Sequence, residues 1–216
     1  MFTIGSLFTS DQKLPFGEMN DNSPACLWYY SSKGPLPNGA RGVTFVAPGG
    51  AVVETPRWHP SIKRSWIGTS CASPIAAGGI ACLMAALKAN SIPYCPGAMK
   101  LALTNTAYLP NGGDQLGFGN GIIQINSAFE YFKSFKTALY QKIILPQISI
   151  NKSNKKGIVF YNNIYNNNMN KYCIKIENKQ KQIPWILKLT PEEENQKHIE
   201  YSKAIKNNLF YVKIDS

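Results

Sequence analysis

Gly68-Thr69-Ser70-Cys71-Ala72-Ser73-Pro74 stands at the head of a long run, ending at Ala89, that is dominated by Ala, Ile, Leu, Cys and Met and interrupted by Gly78 and Gly79. The run from Ser70 reads as a helix that is apolar on nearly all sides, with no charge before Lys88, and such a helix belongs inside a large domain. Its length would also suit a membrane span, but Ser73, Pro74, the two glycines and the stop at Asn90 favour a buried helix of a soluble domain. A serine at its start has chemical meaning. The first turn of a helix has N–H groups without intrahelical partners, and the macrodipole is positive there, so an oxyanion formed beside Ser70 would be stabilised. The missing N–H of Pro74 is expected to fall among those unpaired donors. Gly68 lets the backbone approach a ligand closely. The plainer alternative makes Ser70 an ordinary N-cap and Gly68 a turn glycine, and the triplet Gly-Thr-Ser alone would favour it.

Upstream, short apolar runs alternate with Gly and Pro. Tyr29-Tyr30-Ser31-Ser32-Lys33-Gly34-Pro35 is read as a strand ending in a turn, and Gly42-Val43-Thr44-Phe45-Val46-Ala47 as a buried strand bounded by Pro48-Gly49-Gly50. Val52 to Pro56 offers a short edge piece, and Arg57 to Trp66 an irregular loop carrying His59. Downstream, Pro96 suits the first position of a second helix running to about Asn105. The Gly-rich turn Asn111-Gly112-Gly113-Asp114 follows, then Gly117 to Gly121 and the apolar Ile122-Ile123-Gln124-Ile125. Ser127-Ala128-Phe129-Glu130 has capping-box spacing for a third helix through about Phe135. Helices with buried strands give an α/β layered domain over residues 1–135. From 136 to 216 the pattern changes to short segments, Gly157–Tyr161, Cys173–Ile176, Trp185–Leu189 and Leu209–Ile214, which read as strands of a β-rich, sandwich-like module of which only part is present.

The string Gly-Thr-Ser-x-Ala-Ser-Pro before an Ala/Gly-rich helix resembles the serine signature of the subtilases, the subtilisin-like serine peptidases. The resemblance covers approximately residues 2–135. Ser31-Ser32-Lys33-Gly34-Pro35, Val46-Ala47-Pro48-Gly49-Gly50 and Gly119-Asn120-Gly121-Ile122-Ile123 match further segments of that family in the right order. It implies a partial subtilisin-like domain, with a parallel sheet and a buried helix after the nucleophile. It also implies acyl transfer, with Ser70 as nucleophile, its N–H as an oxyanion donor, and Gly68 and Thr69 at the substrate. Ala47–Ala51, Leu87–Asn90 and Leu103–Ala107 are most similar to the exopeptidase branch that releases tripeptides from oligopeptide N-termini. That branch implies a cytoplasmic homo-oligomer.

Other parts of the expected machinery are missing from the sequence. The family's order is Asp, His, Ser, yet no D-x-G or H-G-T segment precedes Ser70. His59, flanked by Trp58 and Pro60, is read as a loop histidine, and His198 among Glu192, Glu193, Glu194 and Lys197 as a solvated one. Asn20 and Asn22 are poor substitutes for the family's oxyanion asparagine. Ile67 replaces an asparagine that many relatives carry before Gly-Thr-Ser, which removes a hydrogen bond near the substrate. The sequence is therefore expected to be part of a longer peptidase and inactive alone, the alternative being a non-catalytic assembly or binding module built on the same scaffold.

Composition closes other routes. Hydrophobic residues are 44% and charged residues 16%, which is globular. The net charge of +11 divides unevenly: nine Lys/Arg against six Asp/Glu up to residue 135, and fourteen against six beyond it. The later cations are all Lys, scattered among Asn, Ile and Tyr without an Arg cluster aimed at phosphate, so no nucleic-acid partner is expected. Five cysteines in an odd set, with no C-x-x-C pair, signal neither a disulfide framework nor a zinc site. No cofactor, metal or membrane partner is expected, and MFTIGSLFTSDQK has no basic leader region.

Overall fold

The structure, a computed structural model, describes residues 1–13, 24–58, 60, 63–134, 147–151, 153–158, 171–177, 199–201 and 209–214. The chain forms two compact units, Met1–Pro35 with Arg41–Ile143, and Leu36–Ala40 with Ile144–Ser216.

In the first unit the elements are β1 (Ile4–Phe8), α1 (Ser10–Lys13), β2 (Cys26–Leu27), β3 (Phe45–Pro48), β4 (Gly50–Glu54), β5 (Lys63–Ile67), α2 (Thr69–Ala89), α3 (Pro96–Thr106), α4 (Gln115–Phe118) and α5 (Ile125–Ser134). β1 and β3 run parallel, with Ile4 opposite Phe45 and Ser6 opposite Ala47, and β2 pairs with β1 on its other edge, antiparallel. A parallel bridge from Val46 to Ile122 continues the sheet beyond β3. Gly5 through Phe8 and Phe45 through Ala47 are buried. That near-continuous burial is what a parallel sheet covered by helices requires.

α2 lies against β1, β3 and α5. Its covered stripe is Ala72, Ala76, Leu83 and Leu87, at the spacing of one helical face. Ala72 and Ala76 meet Ala47 of β3, while Leu83 and Leu87 join Phe45, Met99, Leu103 and Phe132 in the main core. Gly79 is needed where α2 approaches α5, since a Cβ there would stand 2.9 Å from Ile125 Cγ1. Beyond that stripe the expectation of cover on nearly all sides is not met. Ile75 is 41% and Met84 37% exposed, and a Cβ at Gly78 would meet open space. Uniform apolarity made the whole helix look interior, but a helix is covered only where other elements reach it.

Three further expectations change. Arg57 to Trp66 is not wholly loop, because Lys63–Ile67 forms β5 in an antiparallel hairpin with β4. The third helix starts at Ile125 instead of being capped at Ser127, and the Ala128 amide donates to Gln124 O at 3.1 Å. Pro74 sits inside α2, beyond the unpaired first-turn amides, because Thr69 already opens the helix. Its missing N–H therefore deprives the Ser70 carbonyl of its i+4 donor. The second helix begins at Pro96, as read, and the Cys95 Sγ caps it by accepting from the Ala98 amide at 3.4 Å.

The second unit holds β6 (Gln147–Ile150), β7 (Lys171–Glu177), β8 (Ile199–Tyr201) and β9 (Leu209–Ile214), all antiparallel in the order β6-β7-β9-β8. Register places Ile150, Ile174 and Phe210 side by side on one face, with Ser149, Lys175 and Leu209 on the other. Cys173–Ile176 and Leu209–Ile214 are thus strands, as read. Gly157 and Ile158 are not in a strand. Trp185–Leu189 and 159–161 lie outside the described residues.

Candidate active site

β5 delivers the chain to Gly68, whose φ of 152° lies in the region that favours glycine. Two backbone bonds fix this residue. Its N–H donates to Gly49 O at 2.8 Å, and its carbonyl accepts from Cys71 N at 2.9 Å and Ala72 N at 3.2 Å, which opens α2. Among the described residues, the Thr69 and Ser70 amides make no backbone hydrogen bond. No acidic residue occupies the first turn, so nothing on the helix itself neutralises the positive end of its dipole. Thr69 and Ser70 are exposed there, with the serine at the second helical position. A hydroxyl beside an unbonded amide at a helix N-terminus can attack an electrophile whose developing negative charge that amide would receive.

The support beneath this turn comes from β1 and β3. Gly49 follows β3 and is held by its own N–H on Leu7 O at 2.8 Å. A side chain at Gly49 would collide with Ser6 Oγ. Ser6 is fully buried, its amide bound to Ser31 Oγ at 2.9 Å and its hydroxyl 3.3 Å from the Tyr30 hydroxyl. Burial raises the Tyr30 phenol above its ordinary value, while the Ser6 hydrogen bond and the Gly68 backbone pull it back down. The Tyr30 ring stacks on Trp28 at 5.4 Å, and Trp28 packs on Phe8 at 4.1 Å.

Gly68, Thr69 and Ser70 are therefore placed as one turn on a supported helix end. Ile67, 44% exposed at the end of β5, sits opposite Gly50. His59, His198, Asn20 and Asn22 lie outside the described residues. Sequence reading missed the Gly49–Gly68 bond and the Ser6–Tyr30 pair. Pro48-Gly49-Gly50 had signalled a turn, but not that its carbonyl would carry another turn nineteen residues on.

The model of the subtilase family matches residues 9–121, more than half of the chain. The chain belongs to the subtilase family of serine peptidases. Among named relatives it resembles the tripeptidyl-peptidase 2 of Arabidopsis thaliana, 41% identical over 129 residues, which are 58% of this chain and 9% of that protein. The tripeptidyl-peptidase 2 of Caenorhabditis elegans is 32% identical over 154 residues, 70% of this chain and 11% of that protein. The chain thus spans only about a tenth of the length of the curated relatives it matches. In structure it is similar to the crystal structure of tripeptidyl peptidase 2, with a TM-score of 0.59, 22% identity, and coverage of 99% of this chain and 16% of that one. That likeness supports the partial subtilisin-like α/β fold.

Proposed function

We propose that this chain supplies the nucleophile segment of a serine peptidase that releases tripeptides from oligopeptide N-termini. The observation that carries the reading is the exposed Ser70 at the second position of α2, whose amide makes no backbone hydrogen bond among the described residues. In the proposed step Ser70 Oγ bonds to the carbonyl carbon of the scissile peptide, and its proton passes to a histidine supplied from outside residues 1–216. The carbonyl oxygen, now negative, rests on the Ser70 N–H, with the Gly68 and Thr69 backbone beside the acyl portion. Collapse expels the amine with that proton and leaves the tripeptide as an ester on Ser70, which water then hydrolyses. No cofactor takes part. The names of the relatives support the tripeptide product, and the open face of α2 supports a catalytic domain completed by further protein. We place the complete peptidase in the cytoplasm as a homo-oligomer.

Loss of the base lowers turnover in subtilisin by about a millionfold, or about 8 kcal/mol of barrier. The 216-residue chain alone should therefore not react with a fluorophosphonate probe. The same segment in a peptidase that provides the histidine and aspartate should be labelled at Ser70. That enzyme should release tripeptides from a free N-terminus and leave an N-acetylated peptide intact. Ready labelling of the isolated chain would show that residues 1–216 supply their own base, and release of single residues would overturn the tripeptide reading. A folded chain that binds partners but never labels in any context would favour the assembly module.

A further inference from the structure

Ser6 is a buried hydroxyl on a strand of the central sheet, a position where a polar group must find a partner. Its amide is bound to Ser31 Oγ, and its hydroxyl meets the Tyr30 hydroxyl. Gly49 has no side chain, so Ser6 Oγ lies directly against its backbone. The carbonyl of that same glycine holds the Gly68 N–H at 2.8 Å. Thus a continuous path of four residues, Tyr30, Ser6, Gly49 and Gly68, leads from a loop tyrosine to the turn that presents Ser70, and the Gly68 backbone also acts on the Tyr30 phenol directly. The tyrosine's ring has a separate task, since stacking on Trp28 packs it whether or not the hydroxyl is present. A phenylalanine would satisfy the packing. The hydroxyl is therefore the part that packing leaves unexplained.

We infer that Tyr30 is a positioning residue for Ser70, its hydroxyl fixing the rotamer of Ser6 and thereby the height of Gly49 and of the Gly68 turn. The inference rests on the peptidase reading above and extends it to a residue remote in sequence from the nucleophile. With the hydroxyl gone, Ser6 Oγ is free to rotate, and its close contact with Gly49 no longer defines where the Gly68 amide finds its acceptor. The oxyanion donor then drifts from its productive place, and small displacements of such donors are felt in the transition state more than in the bound substrate.

Two measurements test this. The first uses the 216-residue chain without any activity: backbone amide exchange in Tyr30→Phe should rise at Gly68 and Cys71 by roughly three- to tenfold, while Phe45 to Ala47 stay unchanged. Ser6→Ala should do the same, and it serves as the second variant if Tyr30→Phe raises exchange throughout. Unchanged Gly68 exchange in either well-folded variant overturns the inference. The second uses the complete peptidase. Tyr30→Phe should lower kcat about tenfold at constant KM, and the double variant with Ser6→Ala should be no worse than the poorer single one. A rise in KM at constant kcat, or simple additivity, would also overturn it. If the complete protein hydrolyses no peptide, the peptidase reading fails, and the exchange data still decide whether Tyr30 holds the turn.

Discussion

The two units of this chain bury their apolar residues in different ways. In the first, Phe45 of β3 is packed by Leu83 of α2, Leu103 of α3 and Phe132 of α5, so the core is assembled from segments far apart in sequence. In the second, Ile150, Ile176 and Phe210 are buried on one face of a single antiparallel sheet. The first arrangement fixes helix ends in space, and a reactive group at such an end inherits that rigidity. The second makes a surface with one apolar side, where each strand depends on its neighbours. The layered unit is the one that can hold a helix end such as that of α2 in a fixed place.

The contrast can be broken most severely at Ser70. In the complete peptidase Ser70→Ala should lower turnover about a millionfold, while amide exchange in both units stays at its original level. A stability loss would mean that the hydroxyl is structural. Next in size is Phe132→Ala, expected to destabilise the first unit by about 4 kcal/mol; exchange at Val46 should accelerate and exchange at Ile174 should not. Phe210→Ala should act in the opposite sense at about 3 kcal/mol, nearer the low end for such truncations because Phe210 keeps 8% of its surface. Parallel losses at both reporters in either variant would show one cooperative body. The smallest effect concerns alkali. Because burial raises the Tyr30 phenol, the folded chain resists its ionisation more than the unfolded chain does. Stability is then full below the ordinary tyrosine value near 10 and is lost as pH rises through and beyond it. Denaturant midpoints of Tyr30→Phe should fall less steeply above about pH 10 than those of the parent sequence, and identical slopes would remove Tyr30 from the titration.

What the sequence disclosed about the fold follows the range of the interactions involved. α3 could be read from Pro96 because a proline suits the first helical position and the signal is local. Ser70 could be read because seven adjacent residues carry the string. β5 could not, since Lys63-Arg64-Ser65 lacks the alternation of a half-buried strand, and its partner β4 supplies the reason for its extension. Ser127 misled because capping-box spacing fitted while Ile125 and Phe129, both packed against the core, began the helix two residues earlier. Within the site, the Gly49–Gly68 bond joins backbone atoms, and no side-chain pattern records it. Tyr30 was legible only as part of a segment ending in a turn, since its stacking on Trp28 and its hydroxyl's partner Ser6 depend on how the chain folds back.

One small segment reshapes how the chain can be divided. Leu36–Ala40 belongs to the second unit, where Lys156 N donates to Asn38 O at 2.7 Å and Gly39, with φ of 80°, lies so close to Gly157 that neither can carry a side chain. Scissors applied after Ile143 would therefore leave behind five residues that the downstream piece needs, and would strip its Gly157 loop of a backbone neighbour. Whoever wishes to express that piece by itself must graft Leu36–Ala40 onto it or lose the Asn38 and Gly39 contacts of its Lys156–Gly157 loop. A substitution as early as Gly39 would register more than a hundred positions later.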